Sequence, residues 1–235
     1  NLYLRSKKTF HLEAIIKTAD WLVSHLRRNG KGLLVWFHEF DFEYFQLLKN
    51  PWYSGLAQGQ AISFLLRAHE ITDNQKYIQC ALDASLSLQT KIEDGGVLFH
   101  DDLGGTWIEE YITHPPVHIL NGFIWALWGV YDLCQTTSDA RLKELYRRLE
   151  QNLCTHLERY DTGYWSRYDL SPLRLINPAS RFYHQLHCIQ LEIMHRLTGK
   201  EKYRLFSEKW RTYQTKRMNR ISACFKKCVF KVLYY

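Results

Sequence analysis

The sequence lacks the features that mark membrane-spanning and disulfide-bonded proteins. No run of apolar residues approaches the roughly 18 that a transmembrane helix requires. Its six cysteines show no paired spacing except Cys224 and Cys228, so no disulfide framework is indicated. That absence favours a reducing, cytoplasmic compartment. Because the first residue is Asn1, a lumenal location is expected instead if the native N-terminus carries a membrane anchor.

The body of the chain also lacks a surplus of charge, although the formal net charge is +7. Six cations and no Asp or Glu lie in residues 216–235, namely Lys216, Arg217, Arg220, Lys226, Lys227 and Lys231. Of the 31 Lys and Arg, 25 therefore remain elsewhere against 24 Asp and Glu. A nucleic-acid partner is not expected, because it would need a broadly basic surface. Residues 216–235 are interpreted as a basic, apolar tail that packs on domain 1–215 rather than on a membrane.

What the chain does contain is a weak repeat of helical hairpins. Apolar residues make up 46 % of it, which is typical of a folded globular protein. Three stretches each show an apolar helix, a short Thr-containing turn and a second helix, with turns at Thr72–Gln75, Thr136–Asp139 and Thr198–Glu201. A repeat of about 60 residues predicts an all-α fold, an incomplete (α/α) toroid of stacked hairpins.

The apolar patterns predict two particular helices and the location of the site. Residues 117–133 are apolar almost all round, which predicts a helix buried on every side. An amphipathic helix over residues 12–26 is expected to stop at Asn29–Gly30. The long connections are expected to meet at the end opposite the short turns and to hold the functional residues. They span residues 30–52, 91–116 and 159–180.

Four segments carry a specific resemblance to a known family. They are "PWYSGLAQGQAIS" from Pro51, "WIEEYITHPPVHILNGF" with the following "GVYDL", "YDTGYWSRYDL" from Tyr160, and "YHQLHCIQL" from Tyr183. In order and without large gaps, they resemble the C-terminal α-helical domain of the D-glucuronyl C5-epimerases. The resemblance runs from about residue 51 to about residue 215.

The resemblance implies epimerisation of D-glucuronate to L-iduronate in an acidic polysaccharide such as heparosan, with no redox cofactor. No metal site is expected from the residues. Its proton-transfer groups map to Glu110, Tyr168 and Tyr183. The reaction also needs groups that hold the sugar and balance its carboxylate. The expected substrate-binding residues are Glu109, Tyr111, Arg167, Arg181, His184, Trp52, Tyr53, Gln58 and Asn121.

Two other functions stay open on the sequence alone. A polysaccharide lyase also begins by removing the C5 proton, and α/α toroids host lyases. A catalytically silent carbohydrate-binding or assembly module is the third candidate. The pairs His114/His118 and His184/His187 have helical spacing, but neither occurs in a metal-binding pattern. Family enzymes carry β-rich domains ahead of this one, so a homodimer is one expectation for how the cleft is completed.

Overall fold

The computed structural model describes residues 2–44 and 46–234, which are mostly helical. The α-helices are α1 (Leu2–Ser6), α2 (Thr9–His25), α3 (Gly55–Thr72), α4 (Gln75–Gln89), α5 (Leu120–Thr136), α6 (Ala140–His156), α7 (Arg181–Thr198), α8 (Glu201–Thr215) and α9 (Arg217–Tyr234). Short strands form three antiparallel ribbons: β1 (Arg27–Arg28) with β2 (Leu34–Val35), β3 (Phe42–Glu43) with β4 (Leu47–Leu48), and β5 (Leu98–His100) with β6 (Thr106–Ile108). None of the described helices is long and apolar enough to cross a membrane.

The three predicted hairpin turns are confirmed, and local chemistry explains where the helices stop and restart. Asp73 and Gly199 adopt the left-handed conformation that ends α3 and α7. Asn74 and Asp139 accept hydrogen bonds from backbone N–H groups in the first turns of α4 and α6. Such caps satisfy donors that have no partner inside the helix. These caps end one helix and begin the next, which gives the helical hairpins α3–α4, α5–α6 and α7–α8.

The first helices of two hairpins cross at a pair of glycines. A methyl group on Gly129 of α5 would lie 2.6 Å from the Cα of Gly59 in α3. Carbon atoms in contact normally lie about 3.5–4.0 Å apart, so no larger side chain fits at this crossing. The two backbones can therefore approach closely, and α5 lies at the centre of the molecule, next to α3, α6 and α7.

Two expectations about helices were wrong. α2 ends at His25, and Asn29 lies instead in the turn of the β1–β2 ribbon, where its side chain accepts from the N–H groups of Lys31 and Leu33. Residues 27–28 pair with β2 instead, so their backbone groups do not continue the helix. α5 is not buried on every side either. Trp125 and Trp128 are half-buried and face an apolar cavity of about 710 Å³ between α2, α3, α5 and α7.

The long connections lie together at one end, as expected. Backbone hydrogen bonds join them: Gly55 N–H donates to the Glu109 carbonyl (2.9 Å), and Leu120 N–H donates to the Tyr168 carbonyl (3.1 Å). Leu170 N–H donates to the Val117 carbonyl (2.8 Å). The segments before α3, α5 and α7 are therefore held against one another.

The basic tail is a helix in this structure. α9 buries Ala223 and Phe230, and two of its cations lie over aromatic rings of the third connection. Lys226 Nζ is 4.5 Å from the ring centre of Tyr164, and Lys227 Nζ is 5.2 Å from that of Tyr168. The division into 1–215 and 216–235 stays a prediction, and α9 packs where the long connections meet.

Candidate active site

Two adjacent carboxylates follow strand β6, and the fold gives them different surroundings. Glu109 is fully buried, and both of its oxygens bind His118, one to the backbone N–H (3.0 Å) and one to Nδ1 (2.5 Å). The His118 ring stacks on Trp107 at 4.1 Å. Glu109 therefore anchors the second connection instead of facing a ligand.

Glu110 is also buried, but its carboxylate has fewer close hydrogen-bond donors than that of Glu109. Its carboxylate lies against the first turn of α5, where a methyl group on Gly122 would be 2.7 Å from the Glu110 Cβ. Its contact to Asn121 Nδ2 is long, at 3.5 Å. Burial raises the pKa of Glu110 to about 8, a hydrogen bond with Tyr111 opposes that rise, and the charge of Glu109 adds to it. Near neutral pH this group can therefore both accept and release a proton.

Three tyrosines form a cluster next to this carboxyl group. The rings of Tyr168 and Tyr183 meet edge to face with centres 4.9 Å apart. Tyr111 lies within hydrogen-bonding reach of both Glu110 and Tyr168. Burial raises the pKa of Tyr168, and the negative charge of Glu110 raises it further. The Tyr168 hydroxyl therefore keeps its proton at neutral pH.

A buried polar network holds Tyr168 in place. Asp169 accepts hydrogen bonds from the Tyr44 hydroxyl, from Asn177 Nδ2 (2.6 Å) and from the backbone N–H of Ser171 (3.0 Å). Tyr168 N–H donates to the Asn177 carbonyl (2.8 Å). The Tyr44 ring also lies 5.0 Å from that of Tyr111. Neither Tyr44 nor Asn177 was predicted, because no sequence pattern pairs them across so long a separation.

The predicted cations adjoin the tyrosines in sequence. Arg167 directly precedes Tyr168 and is half-buried, and its buried Nε has no partner among the described residues. Arg181 is exposed on the first turn of α7, two residues before Tyr183. A third cation, Lys227 of α9, lies over the Tyr168 ring and donates to Asn177 Oδ1 (2.6 Å). Burial lowers the pKa of Lys227 to about 8.

Two of the predicted substrate-binding residues, Gln58 and His184, are buried in the protein interior. Gln58 is fully buried and exchanges hydrogen bonds with the Trp36 backbone (2.9 and 3.0 Å). His184 is also fully buried. Its Nδ1 contacts Ser166, and its Nε2 lies 3.0 Å from the Trp210 carbonyl. Like Glu109, these two side chains use their polar atoms inside the protein, which corrects the expectation that they contact substrate.

The two aromatic residues before α3 separate in the structure. Trp52 lies at the edge of the cluster, with its ring 5.8 Å from that of Tyr111. Tyr53 points elsewhere, since its hydroxyl donates to the Gly95 carbonyl (2.8 Å) and its ring meets Phe37. Asn121 is buried beside Glu110, and its Oδ1 has no partner among the described residues. Of these three, Trp52 and Asn121 belong to the same constellation as Glu110.

Comparison with known proteins identifies the family to which this chain belongs. Residues 30–212 match the family model described as D-glucuronyl C5-epimerase C-terminus. A D-glucuronyl C5-epimerase of Caenorhabditis elegans is 31 % identical over 217 residues, which cover 87 % of this chain and 35 % of that protein. An uncharacterized protein of Methanocaldococcus jannaschii is 30 % identical over 205 residues, covering 86 % of this chain and 65 % of that protein. The chain thus spans less than two thirds of either relative, and it belongs to the D-glucuronyl C5-epimerase family through the family's C-terminal part.

Proposed function

We propose that this chain is an isomerase that converts D-glucuronate to L-iduronate units in a heparosan-like polysaccharide. The observation that carries the proposal is the convergence of Glu110, Tyr168 and Tyr183, which are far apart in sequence. Glu110 lies near Tyr168, and Tyr168 contacts Tyr183, so a carboxyl group and two phenols lie close together. Proton transfer at a sugar carbon needs such a set.

The proposed step inverts C5 without a change of oxidation state. One group takes the C5 proton, the electron pair is delocalised into the adjacent carboxylate, and a second group returns a proton to the opposite face. Ionised Glu110 is the proposed base on one face and Tyr183 the proton donor on the other, with Tyr168 as a relay. Because proton removal adds charge to an existing anion, the step also needs cations, and Arg167 and Arg181 are the predicted ones. No redox cofactor is needed.

The finer architecture belongs to the same proposal. The helix pairs are proposed to form an incomplete (α/α) toroid, with its long connections around the site. The packing of α3 against α4 and α5, of α5 against α6, and of α7 against α8 supports it. The expected partner is an acidic polysaccharide, because the tyrosines lie beside cations at this end.

Hydrogen–deuterium exchange at C5 tests the function directly. The protein is incubated with heparosan in deuterated water, and proton NMR and ultraviolet absorbance are recorded. Deuterium at C5 with new iduronate signals is the expected result. New absorbance from an unsaturated uronate would instead show a lyase, and binding without either change would leave a carbohydrate-binding module.

Two variants test the assignment of the site. Glu110→Gln and Tyr183→Phe are each expected to reduce C5 exchange at least 100-fold, the usual scale for a lost general acid or base. Tyr146→Phe is the matched control, because Tyr146 is also half-buried but packs on Tyr131 away from the cluster. Normal exchange in both site variants would show that the reaction occurs elsewhere.

A further inference from the structure

A second cavity adjoins the candidate active site. It has a volume of about 550 Å³, within the usual range for ligand pockets, and lies between α9 and the first turn of α7. One face of α9 forms a wall with Arg217, Arg220, Ile221, Cys224, Lys227 and Cys228. The opposite wall includes Trp165, Ser180 and Arg181. α9 lies beyond residues 30–212, which match the family model.

The charges that line the cavity are all positive. Its charged residues are Arg181, Arg217, Arg220 and Lys227, and no Asp or Glu contributes to the lining. None of these four forms an ion pair with a described carboxylate, whereas Arg67, Arg147 and Arg204 on other helices each do. Lys227 has a carboxylate nearby, namely Asp169, to which Asn177 links it. Three arginines without an ion pair, together with Lys227, favour an anionic ligand.

The remaining lining suits a ligand that is not a bare ion. Trp165, Ala179, Ile221 and Ala223 give the cavity apolar surface between the charges. A pyranose ring has apolar C–H faces, and a uronate adds one carboxylate at its edge. Aromatic and aliphatic walls pack on such faces, while arginines bind carboxylates in a bidentate manner.

Two residues of the cavity, Lys227 and Ser180, also contact residues of the candidate active site. Lys227 forms part of the lining, and its Nζ lies 5.2 Å from the ring centre of Tyr168. Ser180 also lies in the lining, and its hydroxyl accepts from the N–H of Tyr183 (3.3 Å), so it caps the helix that carries this tyrosine. A sugar in the cavity would therefore lie close to Tyr168 and to the helix turn that carries Tyr183.

From these observations we infer that the cavity between α9 and α7 is a second subsite, which binds another acidic sugar unit of the polymer through Arg217 and Arg220. This inference rests on the proposed function for the identity of the polymer. The inference itself states that α9 forms most of a binding site for an anionic sugar. It would make the chain prefer substrates long enough to fill both sites.

Two double variants on the same helix separate this subsite from general attraction. Arg217→Gln with Arg220→Gln removes two charges from the cavity. Lys226→Gln with Lys231→Gln removes two charges from exposed positions of α9 outside it. All four residues are exposed, so both variants are expected to fold, and thermal unfolding checks this.

Binding of a heparosan decasaccharide is measured by calorimetry, with a neutral glucan of similar length as the control ligand. The cavity variant is expected to bind at least about tenfold more weakly, whereas the control variant changes by less than about threefold. Equal weakening in both variants would show long-range attraction only, and would overturn the subsite. Absence of decasaccharide binding by the unaltered protein would overturn it as well.

C5 exchange in deuterated water distinguishes a failure of the subsite from a failure of the function. If the unaltered protein binds the decasaccharide but exchanges no deuterium, the epimerase proposal fails and the binding site stands. If exchange occurs and the cavity variant matches the control variant in KM, the subsite fails and the function stands. The subsite predicts a raised KM for the cavity variant on the decasaccharide, with kcat largely kept.

Discussion

At the scale of single residues, the neighbouring carboxylates Glu109 and Glu110 show how surroundings determine chemistry. Glu109 receives two hydrogen bonds from His118 and is fully buried, so it is committed to structure. Glu110 has one long contact to Asn121 and the aromatic cluster around it. Burial without strong donors favours the protonated form, which keeps Glu110 available for proton transfer.

The rate of C5 exchange should depend on pH through Glu110 and Lys227. If ionised Glu110 is the base, kcat/KM rises about tenfold per pH unit on the acid side of its pKa of about 8. Lys227 lies over the ring of Tyr168, and burial lowers its pKa to about 8. The site therefore loses this positive charge, and with it part of its activity, on the alkaline side. We therefore expect a narrow maximum near pH 8.

Lys227→Gln serves to assign the two limbs of this profile. The variant should lose the alkaline decline and keep the acid limb, because Glu110 is unchanged. Rates are measured from pH 5 to pH 10 with one heparosan preparation. A flat profile between pH 5 and pH 8 would contradict a base with the raised pKa of Glu110.

The stability of the protein should also respond to Glu110, and the direction follows from linkage. Its pKa is raised in the folded chain, so the folded state holds a proton that the unfolded state has lost between about pH 4 and pH 8. The free energy of unfolding therefore falls over this range as pH rises. Glu110→Gln removes this loss, so the variant should gain stability relative to the unaltered protein by a few kcal/mol between pH 5 and pH 8. Urea unfolding at both pH values measures the difference, and a constant difference would contradict the buried carboxyl.

Only part of the candidate site could be predicted from the sequence. Glu110, Tyr168 and Tyr183 lie in recognisable motifs, and the structure brings them together. Lys227 was placed in a separate tail, because nothing local indicates that a basic helix returns to the third connection. Gln58 and His184 share the motifs of the site residues but lie in the protein interior, so their motifs reflect the fold as well as the chemistry.

At the scale of secondary-structure elements, features fixed by neighbouring residues were predictable and long-range packing was not. The three hairpin turns depend on caps within a few residues, such as Asn74 and Asp139. The open face of α5 depends on how closely α2 and α7 approach Trp125 and Trp128, which no local pattern records. The end of α2 was mispredicted because the Asn29 turn stabilises an alternative to further helix.

The crossing of α3 and α5 yields a prediction at this scale. Gly59→Ala would place a methyl group 2.9 Å from the Trp125 carbonyl, which forces the two helices apart. Overpacking of this kind typically costs about 1–3 kcal/mol. Urea unfolding should show a loss of this size, although alanine is the better helix former.

Gly30→Ala is the matched control for the crossing, because nothing lies within 4 Å of the added methyl group. Its stability should change by less than about 0.5 kcal/mol, as is usual at exposed positions. If Gly59→Ala were as stable as Gly30→Ala, the close approach of α3 and α5 would be wrong.

At the scale of the whole molecule, burial decreases from a centre towards both ends of the chain. α5 and α3 contain ten and nine buried residues, whereas α2 buries only Ala19 and α1 buries none. Among the large apolar residues of α2, Phe10 and Trp21 are each more than half exposed. Local opening requires less energy where fewer apolar contacts are broken. The N-terminal helices are therefore the part of the described chain that is held least firmly.

Amide hydrogen exchange followed by mass spectrometry tests this gradient and the expected homodimer together. In dilute solution, the amides of α3 and α5 should exchange slowest and those of α1 and α2 fastest, with α9 between them because it buries Ala223 and Phe230. The measurement is repeated at a hundredfold higher protein concentration. If α2 becomes protected only at high concentration, its exposed apolar residues lie in an interface between copies, since association stabilises by mass action. If α2 is as protected as α5 even in dilute solution, the exposure of Phe10 and Trp21 described above is wrong.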